Sequence, residues 1–252
     1  MSRLKHGLNE QFTGGLNVGA PNDKGLLSVP IPVSFGMGWK ELYEGFTDGI
    51  LYTADTTPKW EHTVETTGTT AAVAGGLGLL PQDDTDNSSS LLQWTTPTLL
   101  MGANTKQFYF ETRATLTDNG TDPNQAESFI GFTEDVSTTN FVGGTGVAWA
   151  FEDGFGFAHL DGDTAISFVA MQSDVIQIVT TGKEYVSGVP RRLGCWYDGT
   201  SYKLYVDGEL VTTQIRSVYN DDAVMGMSLY SKNGEAKTKD LVINYVYLAV
   251  EL

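Results

Sequence analysis

The sequence has few residues that could support redox or metal chemistry. It contains one cysteine and three histidines among 252 residues. A single cysteine excludes an intrachain disulfide framework, and we expect Cys195 to be a small buried hydrophobic residue within a strand. His6, His62 and His159 are scattered along the chain without the spacing of a metal site. The sequence therefore predicts no cofactor.

Basic residues and long apolar runs are also scarce. Lys and Arg number 15 against 31 Asp and Glu residues, which gives a formal net charge of −16. Such a chain is repelled by nucleic acids and anionic membranes, so we expect neither as a partner. The longest apolar run, "AAVAGGLGLL" at residues 71–80, is too short and glycine-rich for a transmembrane helix. The first residues, "MSRLKHGLNEQF", lack the apolar core of a signal peptide, which predicts a protein made in a cytoplasm.

What the sequence does contain is a dense series of strand and turn signals. In "RRLGCWYDGTSYKLYVDGELVTT", residues 191–213, two Asp-Gly pairs separate three short runs. Such pairs favour hairpin turns because the turn needs positive φ, which Gly accepts and Asp tolerates. We therefore predict strands at 193–197, 201–206 and 209–213. In the middle strand Tyr202, Leu204 and Val206 share a dry face opposite Lys203 and Tyr205.

Strand signals continue from residue 107 to the end of the chain. "FYFETRATL" alternates Phe108 and Phe110 against Tyr109, Glu111 and Arg113. "SFIGF", "GFGFAHL", "AISFVAM", "VIQIVTT" and "LVINYVYLAVEL" follow, and further strands are expected at 50–53, 59–66 and 90–95. No segment has a sustained helical period. The pattern predicts an all-β protein, an antiparallel two-sheet jelly-roll sandwich with most tryptophans in its core.

Residues 1–45 differ from the rest because Gly, Pro and Asn interrupt them without any period. We predict an irregular, extended N-terminal arm over 1–45 and a sandwich over 46–252, with one helical turn at "WKELYEGF". An arm of this length is expected to lie against another surface. Its candidate assembly contacts are Leu26, Leu27, Val29, Ile31, Val33, Phe35 and Trp39.

Several of these segments together resemble a known fold family. "FYFETRATL", "ESFIGFTED", "FGFAHLDGDTAISFVA", "WYDGTSYKLYVDGELV" and the closing strand with Asn244-Tyr245 resemble concanavalin A-like, laminin-G-like jelly rolls. They look most like the versions found in virion structural proteins of tailed bacteriophages. The resemblance implies three uses of the sandwich: glycan binding, glycan cleavage, or a structural module of an assembly. Fold by itself does not choose among them.

Cleavage is the least supported of the three uses. Retaining β-glucanases of this fold carry a Glu-x-Asp-x-x-Glu strand, and this sequence contains no Glu-x-Asp. Its adjacent acidic pairs, Glu134-Asp135 and Glu152-Asp153, point to opposite faces of a strand and are expected to mark turns. Gly-x-Ser-x-Gly, His-Glu-x-x-His and phosphate-loop motifs are also missing. The sequence therefore predicts that the protein is not an enzyme.

The resemblance makes calcium a candidate metal, since lectin and laminin-G modules often bind it. The candidate ligands are Asp83, Asp84 and Asp86 in "DDTD" and Asp161 and Asp163 in "DGD". Calcium requires six to eight oxygen ligands, and neither stretch supplies a complete loop. The "DGD" stretch is also explained by a hairpin turn.

The resemblance leads to an expected function and an alternative. We expect a non-enzymatic virion structural protein: a capsid decoration or cement protein at the capsid surface, made in the host cytoplasm. Its arm and one sandwich edge would contact the major capsid protein or another virion protein, as a homo-oligomer such as a trimer. The alternative is a carbohydrate-binding, lectin-like module or phage adhesin that recognises host-surface glycans. A glycanase with unrecognised carboxylates is a third, weaker hypothesis.

Overall fold

Every element described by the computed structural model is a β-strand. The model describes residues 39–45, 60–65, 68–73, 76–81, 86–94, 99–101, 107–118, 126–134, 149, 151–173, 175–215, 223–237 and 239–251. For β1, β3 and β4 the description is limited to the backbone. No helix in these ranges is long and apolar enough to span a membrane.

Sixteen strands occupy these ranges. They are β1 (Trp39–Gly45), β2 (Trp60–Glu65), β3 (Gly68–Val73), β4 (Gly76–Pro81), β5 (Ser89–Trp94), β6 (Leu99–Met101), β7 (Phe108–Asp118), β8 (Ala126–Thr133), β9 (Gly154–His159), β10 (Ala165–Gln172), β11 (Val175–Glu184), β12 (Arg191–Tyr197), β13 (Ser201–Val206), β14 (Glu209–Ile215), β15 (Ala223–Asn233) and β16 (Lys239–Glu251).

The strands form two antiparallel sheets that pack face to face. The first sheet has the order β14-β13-β12-β7-β16-β4-β3, with β1 also paired to β16. The second sheet has the order β11-β10-β9-β8-β15-β5-β2, with β6 also paired to β15. This confirms the predicted antiparallel two-sheet jelly-roll sandwich.

The core between the sheets is filled by aromatic side chains from both. Phe108 of the first sheet lies 5.1 Å from Phe155 of the second, measured between ring centroids. Trp60 and Trp94 stack at 5.3 Å. Each of these rings occupies the inward position of its strand, because successive residues of a strand point to opposite faces. Period-two alternation therefore places the aromatic residues of the sequence in this core.

The hairpins of residues 191–215 form as predicted. Strand β12 is joined to β13 through a turn with Gly199 at φ 93°, and β13 to β14 through Asp207 and Gly208 at φ 54° and 90°. Tyr202, Leu204 and Val206 point into the core, whereas Lys203 is half-buried on the other face. The strands predicted at 59–66 and 90–95 are present as β2 and β5, and the one at 50–53 lies outside the described residues.

One expectation about the N-terminal segment is wrong. "WKELYEGF" was expected to form a helical turn, but Trp39–Gly45 is strand β1 and pairs with residues 245–251 of β16. The partner strand supplies backbone hydrogen bonds that this segment could not have indicated locally. Residues 39–45 of the arm predicted over 1–45 thus belong to the first sheet, and the remaining arm residues, 1–38, lie outside the described residues.

A bulge in β16 decides which side chains of this strand face outward. Ile243 is opposite Ala114, yet Tyr245 is opposite Arg113, so Asn244 is an extra residue in the ladder. An extra residue reverses the alternation that follows it. Tyr245 consequently points away from the core, and the same holds for Tyr247.

The outer face of the second sheet is covered by an aromatic layer. This layer comprises Leu91, Phe129, Trp149, Phe151, Ala158, Leu160, Val169, Met171 and Tyr230. Phe129 lies against Gly131 and Gly156, which face each other across β8 and β9. A Cβ on Gly131 would come within 2.2 Å of the Phe155 carbonyl oxygen and 2.8 Å of the Phe129 ring. The glycines are needed so that the ring can lie on the sheet.

We predict that Gly131→Ala lowers the free energy of unfolding by about 1 to 3 kcal/mol, as overpacking of a close contact does. Urea denaturation followed by tryptophan fluorescence measures this change. Val175→Ala is the control, because the Val175 side chain is 60% exposed and its truncation should change stability by less than about 0.5 kcal/mol. Equal midpoints for the two variants would contradict the close approach of β8 and β9.

Candidate functional site

The outer face of the first sheet carries a continuous group of polar and aromatic side chains. Strand β7 alternates Phe108 and Phe110 in the core with Tyr109 and Glu111 outside. Neighbouring strands add further outward residues at matching positions. We call the following set the outer cluster: Tyr109, Glu111, Arg113, Arg192, Trp196, Lys203, Tyr205, Tyr245 and Tyr247.

Strand register brings the members of the outer cluster together in rows. On β12, Trp196 is directly opposite Tyr109, and Arg192 is directly opposite Arg113. On β16, Tyr247 is directly opposite Glu111, and Tyr245 is directly opposite Arg113. Directly opposite residues share a face and have Cβ atoms about 4.5 to 5.5 Å apart. The cluster is therefore continuous across three central strands.

Glu111 is a fully buried carboxylate at the centre of the outer cluster. Tyr109 Oη donates a hydrogen bond to Glu111 Oε2, and Tyr245 Oη donates one to Glu111 Oε1. An ionised carboxylate is costly to bury unless its oxygens accept hydrogen bonds. The two phenol groups meet this requirement and tie β7 to β16.

The same arrangement changes the acidity of Tyr109. Burial raises the pKa of Tyr109 well above its ordinary value of 10.0, and the adjacent Glu111 carboxylate raises it further. A phenolate would be poorly solvated there and would be repelled by the carboxylate. Tyr109 therefore remains a hydrogen-bond donor at neutral pH.

Trp196 and Lys203 form the rim of the outer cluster toward the β12–β13 turn. Lys203 Nζ lies 4.3 Å from the Trp196 ring centroid and 2.9 Å from Asp198 Oδ2. Burial raises the pKa of Asp198, but hydrogen bonds from Lys203, Ser201 and Thr200 outweigh it, so the net pKa is lowered. The ammonium group is thus held over the indole by an ionised partner, in a cation–π contact.

The tryptophans divide between the core and the outer faces. Trp60 and Trp94 lie between the sheets, as expected. Trp149 belongs to the aromatic layer and Trp196 to the outer cluster; both are buried, 9% and 7% exposed respectively. Trp39 begins β1, but its side chain lies outside the described residues.

Glu134, from one of the acidic pairs weighed as catalytic candidates, lies beside the other pair, Glu152-Asp153, while Asp135 lies outside the described residues. Glu134 Oε1 accepts a hydrogen bond from the Glu152 backbone nitrogen at 2.6 Å. The Glu134 backbone nitrogen bonds to the Asp153 carbonyl oxygen at 3.1 Å, and Asp153 Oδ1 accepts a bond from the Ser173 nitrogen at 3.3 Å. These carboxylates hold backbone at the end of the second sheet, as expected of turn residues.

The calcium candidates come from two stretches that converge on one end of the second sheet. Burial raises the pKa of Glu127, and the nearby Lys232 opposes this rise. Asp161 and Asp86 both lie close enough to Glu127 to raise its pKa further, so the two stretches approach the same residue. Asp163 Oδ1 accepts a hydrogen bond from the Ala165 nitrogen at 2.9 Å, as in a turn. In the described ranges no His, Cys, Asp and Glu residues are grouped to hold a metal. Asp83 and Asp84 lie outside those ranges.

The remaining sequence candidates are buried or outside the described residues. Cys195 is buried in β12, and burial raises the pKa of its thiol well above the ordinary value. His159 is buried, with Nδ1 2.6 Å from the Ala126 carbonyl oxygen. The predicted assembly contacts Leu26, Leu27, Val29, Ile31, Val33 and Phe35, together with His6 and the side chain of His62, lie outside the described residues.

Only part of the outer cluster could be predicted from the sequence. The alternation in "FYFETRATL" placed Tyr109, Glu111 and Arg113 on one face, but no role was assigned to that face. Arg192 and Tyr247 were missed, because nothing local indicates which β7 residues they face. The signal in the sequence was the alternation of Tyr109, Glu111 and Arg113, which places a carboxylate between a tyrosine and an arginine on the outward face of one strand.

Solved structures match this chain through its fold. The carbohydrate-recognition domain of Emp47p aligns over 83% of this chain and 95% of that domain, with a TM-score of 0.57 and 12% identity. The catalytic domain of an endo-1,3-β-glucanase (laminarinase) from Thermotoga petrophila RKU-1 aligns over 84% and 98%, at 0.55 and 13%. A protein of unknown function from Shewanella oneidensis MR-1 aligns over 87% and 90%, at 0.56 and 8%.

No protein-family model and no curated protein matches the chain in sequence. Identities this low show the fold alone. The chain accordingly has a concanavalin A-like jelly-roll fold, as the sequence resemblance implied.

We predict that Tyr109→Phe and Tyr245→Phe each lower the free energy of unfolding by about 1 to 3 kcal/mol, because each leaves a buried carboxylate oxygen without its donor. Urea denaturation at pH 7 measures the change. Tyr205→Phe is the matched control, since Tyr205 is a buried member of the outer cluster on β13, which is separated from β7 and Glu111 by β12. A loss as large in the control would show that the carboxylate is not the cause.

We also predict that stability falls as the pH is raised above about 10. The unfolded chain ionises Tyr109 near 10.0, whereas the folded chain keeps it protonated to a higher pH. The unfolded state thus binds fewer protons, and this group should remove about 1.4 kcal/mol of stability per pH unit in that interval. Urea midpoints measured between about pH 9 and about pH 11, one unit either side of the ordinary phenol pKa of about 10, should decline less steeply for Tyr109→Phe than for the wild type. Parallel declines would contradict the assignment.

Proposed function

We propose that this protein is a carbohydrate-binding module that does not cleave its ligand, and that the outer cluster is its binding site. The observation that carries this proposal is the combination, on one sheet face, of aromatic rings with charged hydrogen-bonding groups. Trp196 and Tyr205 lie beside Lys203, and Arg113 and Arg192 are half-buried on the same face, about 13 Å from Trp196 along β12. Ligand sites typically combine aromatic surface with a few fixed polar groups.

The fold neighbours support carbohydrate as the ligand class. The Emp47p domain is described as a carbohydrate-recognition domain, and the laminarinase as a glucanase. Both align with this chain over most of their length. One fold can serve both binding and cleavage, so the choice between them depends on the residues of the site.

The residues of the outer cluster favour binding over cleavage. A glycosidase needs two carboxyl groups, about 5 to 5.5 Å apart for retention and about 6.5 to 9.5 Å for inversion. Glu111 is the carboxylate of the outer cluster, and hydrogen bonds from Tyr109 and Tyr245 occupy both of its oxygens. Its burial and its two donors suit a positioning role. The absence of catalysis is part of our proposal.

The virion role remains a separate prediction. A capsid decoration protein would depend on arm contacts at residues 26–35, which lie outside the described residues. Its oligomeric state, shell partner and place on the capsid surface are likewise predictions. A phage adhesin that binds host glycans would be compatible with the proposed carbohydrate-binding function.

Binding of the full chain to an immobilised glycan panel, followed by calorimetry on the ligands found, tests this proposal. We expect Trp196→Ala to weaken binding by about tenfold or more, since a tryptophan at a binding site commonly contributes that much. Val224→Ala, at a side chain 51% exposed, is the control and should bind like the wild type. Because Trp196 is buried, Lys203→Ala is the second variant in case the first fails to fold.

The outcomes separate the parts of the proposal. Binding of no glycan would overturn the function, and full binding by a folded Trp196→Ala and by Lys203→Ala would overturn the site. Reducing ends released from a bound glycan would overturn the absence of catalysis.

A further inference from the structure

Strand β11 is the last strand of the second sheet, and its outer edge is poorly shielded. Its partner among the described strands is β10, so alternate backbone N–H and C=O groups of Val175–Glu184 point away from the sheet. Residues 175–181 read "VIQIVTT" and carry no charge. The first charged side chain is Lys183, after Gly182 at φ 72°. Proteins usually shield such an edge with charge, proline or a bulge, and here the shielding begins only near the end of the strand.

The edge strands β2 and β14 differ from β11 in this respect. Strand β2 carries the exposed Glu61, and β14 begins with the exposed Glu209 and has a register shift against β13. Lys183 Nζ lies 2.7 Å from Glu209 Oε2, and this ion pair joins the last strands of the two sheets at one edge of the sandwich. Among these three strands, β11 has the uncharged edge.

Apolar side chains of β11 are exposed on both faces of this edge. Ile176 and Ile178 continue the aromatic layer beyond β10, yet they are 37% and 41% exposed. Val175 and Val179 point to the opposite face, and Val175 is 60% exposed. Further exposed apolar side chains are those of Val186 and Val189 in the connection to β12, and of Leu210 in β14. A strand added to β11 would therefore cover apolar surface whichever face its own apolar residues share.

The sequence contains a segment suited to this edge, in the residues that precede β1. Residues 27–35, "LSVPIPVSF", are apolar at every odd position and have Ser28, Pro30, Pro32 and Ser34 between them. Odd and even residues of a strand direct their side chains to opposite faces and their N–H groups to opposite edges. If the odd residues bond to β11, both prolines face solvent and lose no hydrogen bond, as proline in an edge strand requires. The prolines would also prevent a further strand from adding.

We propose that the edge of β11 receives residues 27–33 of a second copy of this chain as an added strand. Leu27, Val29, Ile31 and Val33 of that copy lie against an apolar row of β11, and their backbone groups bond to its edge. Exchange of arms between two copies is reciprocal, so it closes a dimer. This inference goes beyond the proposed carbohydrate-binding function and does not depend on it.

The position of β1 favours a second copy over the chain's own arm. Trp39 begins β1 opposite Glu251, on the side of β16 away from β7. The order β1-β16-β7-β12-β13-β14 places β1 about 24 Å from β14, the strand that is tied to β11. From residue 39 back to residue 33 an extended chain spans at most about 20 to 22 Å. The arm of another molecule is not limited in this way.

Sedimentation of the full chain and of matched variants tests the assembly. We expect the wild type to have at least twice the mass of one chain. Val29→Pro removes an N–H directed at β11 and should raise the dissociation constant about tenfold, whereas Ser28→Pro removes one directed at solvent and should assemble like the wild type. Ile178→Lys places a charge on the edge and should also weaken assembly. Val224→Lys, at a side chain 51% exposed on β15, is its matched control.

Cross-linking identifies the segment that occupies the edge. Ile31→Cys protein is mixed with Ile178→Cys protein and treated with a short bismaleimide, while the buried Cys195 should remain unreacted. We expect a covalent adduct of the two variants as the main product. Val224→Cys in place of Ile178→Cys should give little adduct. A single chain that carries both Ile31→Cys and Ile178→Cys then separates links within one chain from links between two.

Each result supports or overturns the inference. A monomeric wild type would overturn it, and so would equal assembly of Val29→Pro and Ser28→Pro. Cross-links confined to one chain would show that the chain's own arm occupies the edge, which contradicts the second copy. Assembly that Ile178→Lys weakens and Val29→Pro leaves intact would indicate pairing of two β11 strands and would exclude the arm. If Ile178→Lys fails to fold by circular dichroism, the two proline variants still decide, since neither lies in a described strand.

Discussion

The pairing of β7 with β16 is the interaction on which the rest of the structure depends. These strands are hydrogen-bonded from Asp118 opposite Lys239 to Phe108 opposite Val250, and they lie in the middle of the first sheet. The bulge at Asn244 divides the free edge of β16: β4 pairs before it and β1 after it. The inserted residue thus lies where the partner of β16 changes from β4 to β1, and it sets the outward direction of Tyr245.

The outward direction of Tyr245 makes the burial of Glu111 possible. A buried carboxylate with one donor would leave an unsatisfied oxygen in a low-dielectric environment, at a cost comparable with a large part of a domain's stability. With Tyr109 from its own strand and Tyr245 from the neighbouring one, both oxygens are satisfied. The carboxylate then fixes the tyrosines, and through strand register the neighbouring arginines, in one arrangement.

The two outer faces of the sandwich differ in what they present. On the second sheet, Gly131 and Gly156 let Phe129 lie flat, and Trp149 and Phe151 pack over it. The middle of that face is apolar and is covered by the chain's own side chains, while Glu127 and Lys232 pair at 3.4 Å toward the start of β8. On the first sheet the outward side chains are charged or amphipathic, and Arg113, Arg192 and Lys203 are half-buried among them. This difference is the physical reason for assigning recognition to the first sheet.

The sequence by itself determined the strands and turns whose cause is local. The turns at Asp198-Gly199 and Asp207-Gly208 follow from the positive φ that these residues accept, and the core residues of β7 and β13 follow from alternation. Tertiary structure decided the rest. The local sequence gives weak strand signals in β1 and in the glycine-rich β3 and β4. These strands form because partner strands are present: β1 and β4 pair with β16, and β3 pairs with β4. "LVINYVYLAV" alternates equally well in either phase, and only pairing with β7 reveals the bulge at Asn244. Arg113 and Arg192 meet because β12 lies beside β7, a contact between distant parts of the chain that no local pattern encodes.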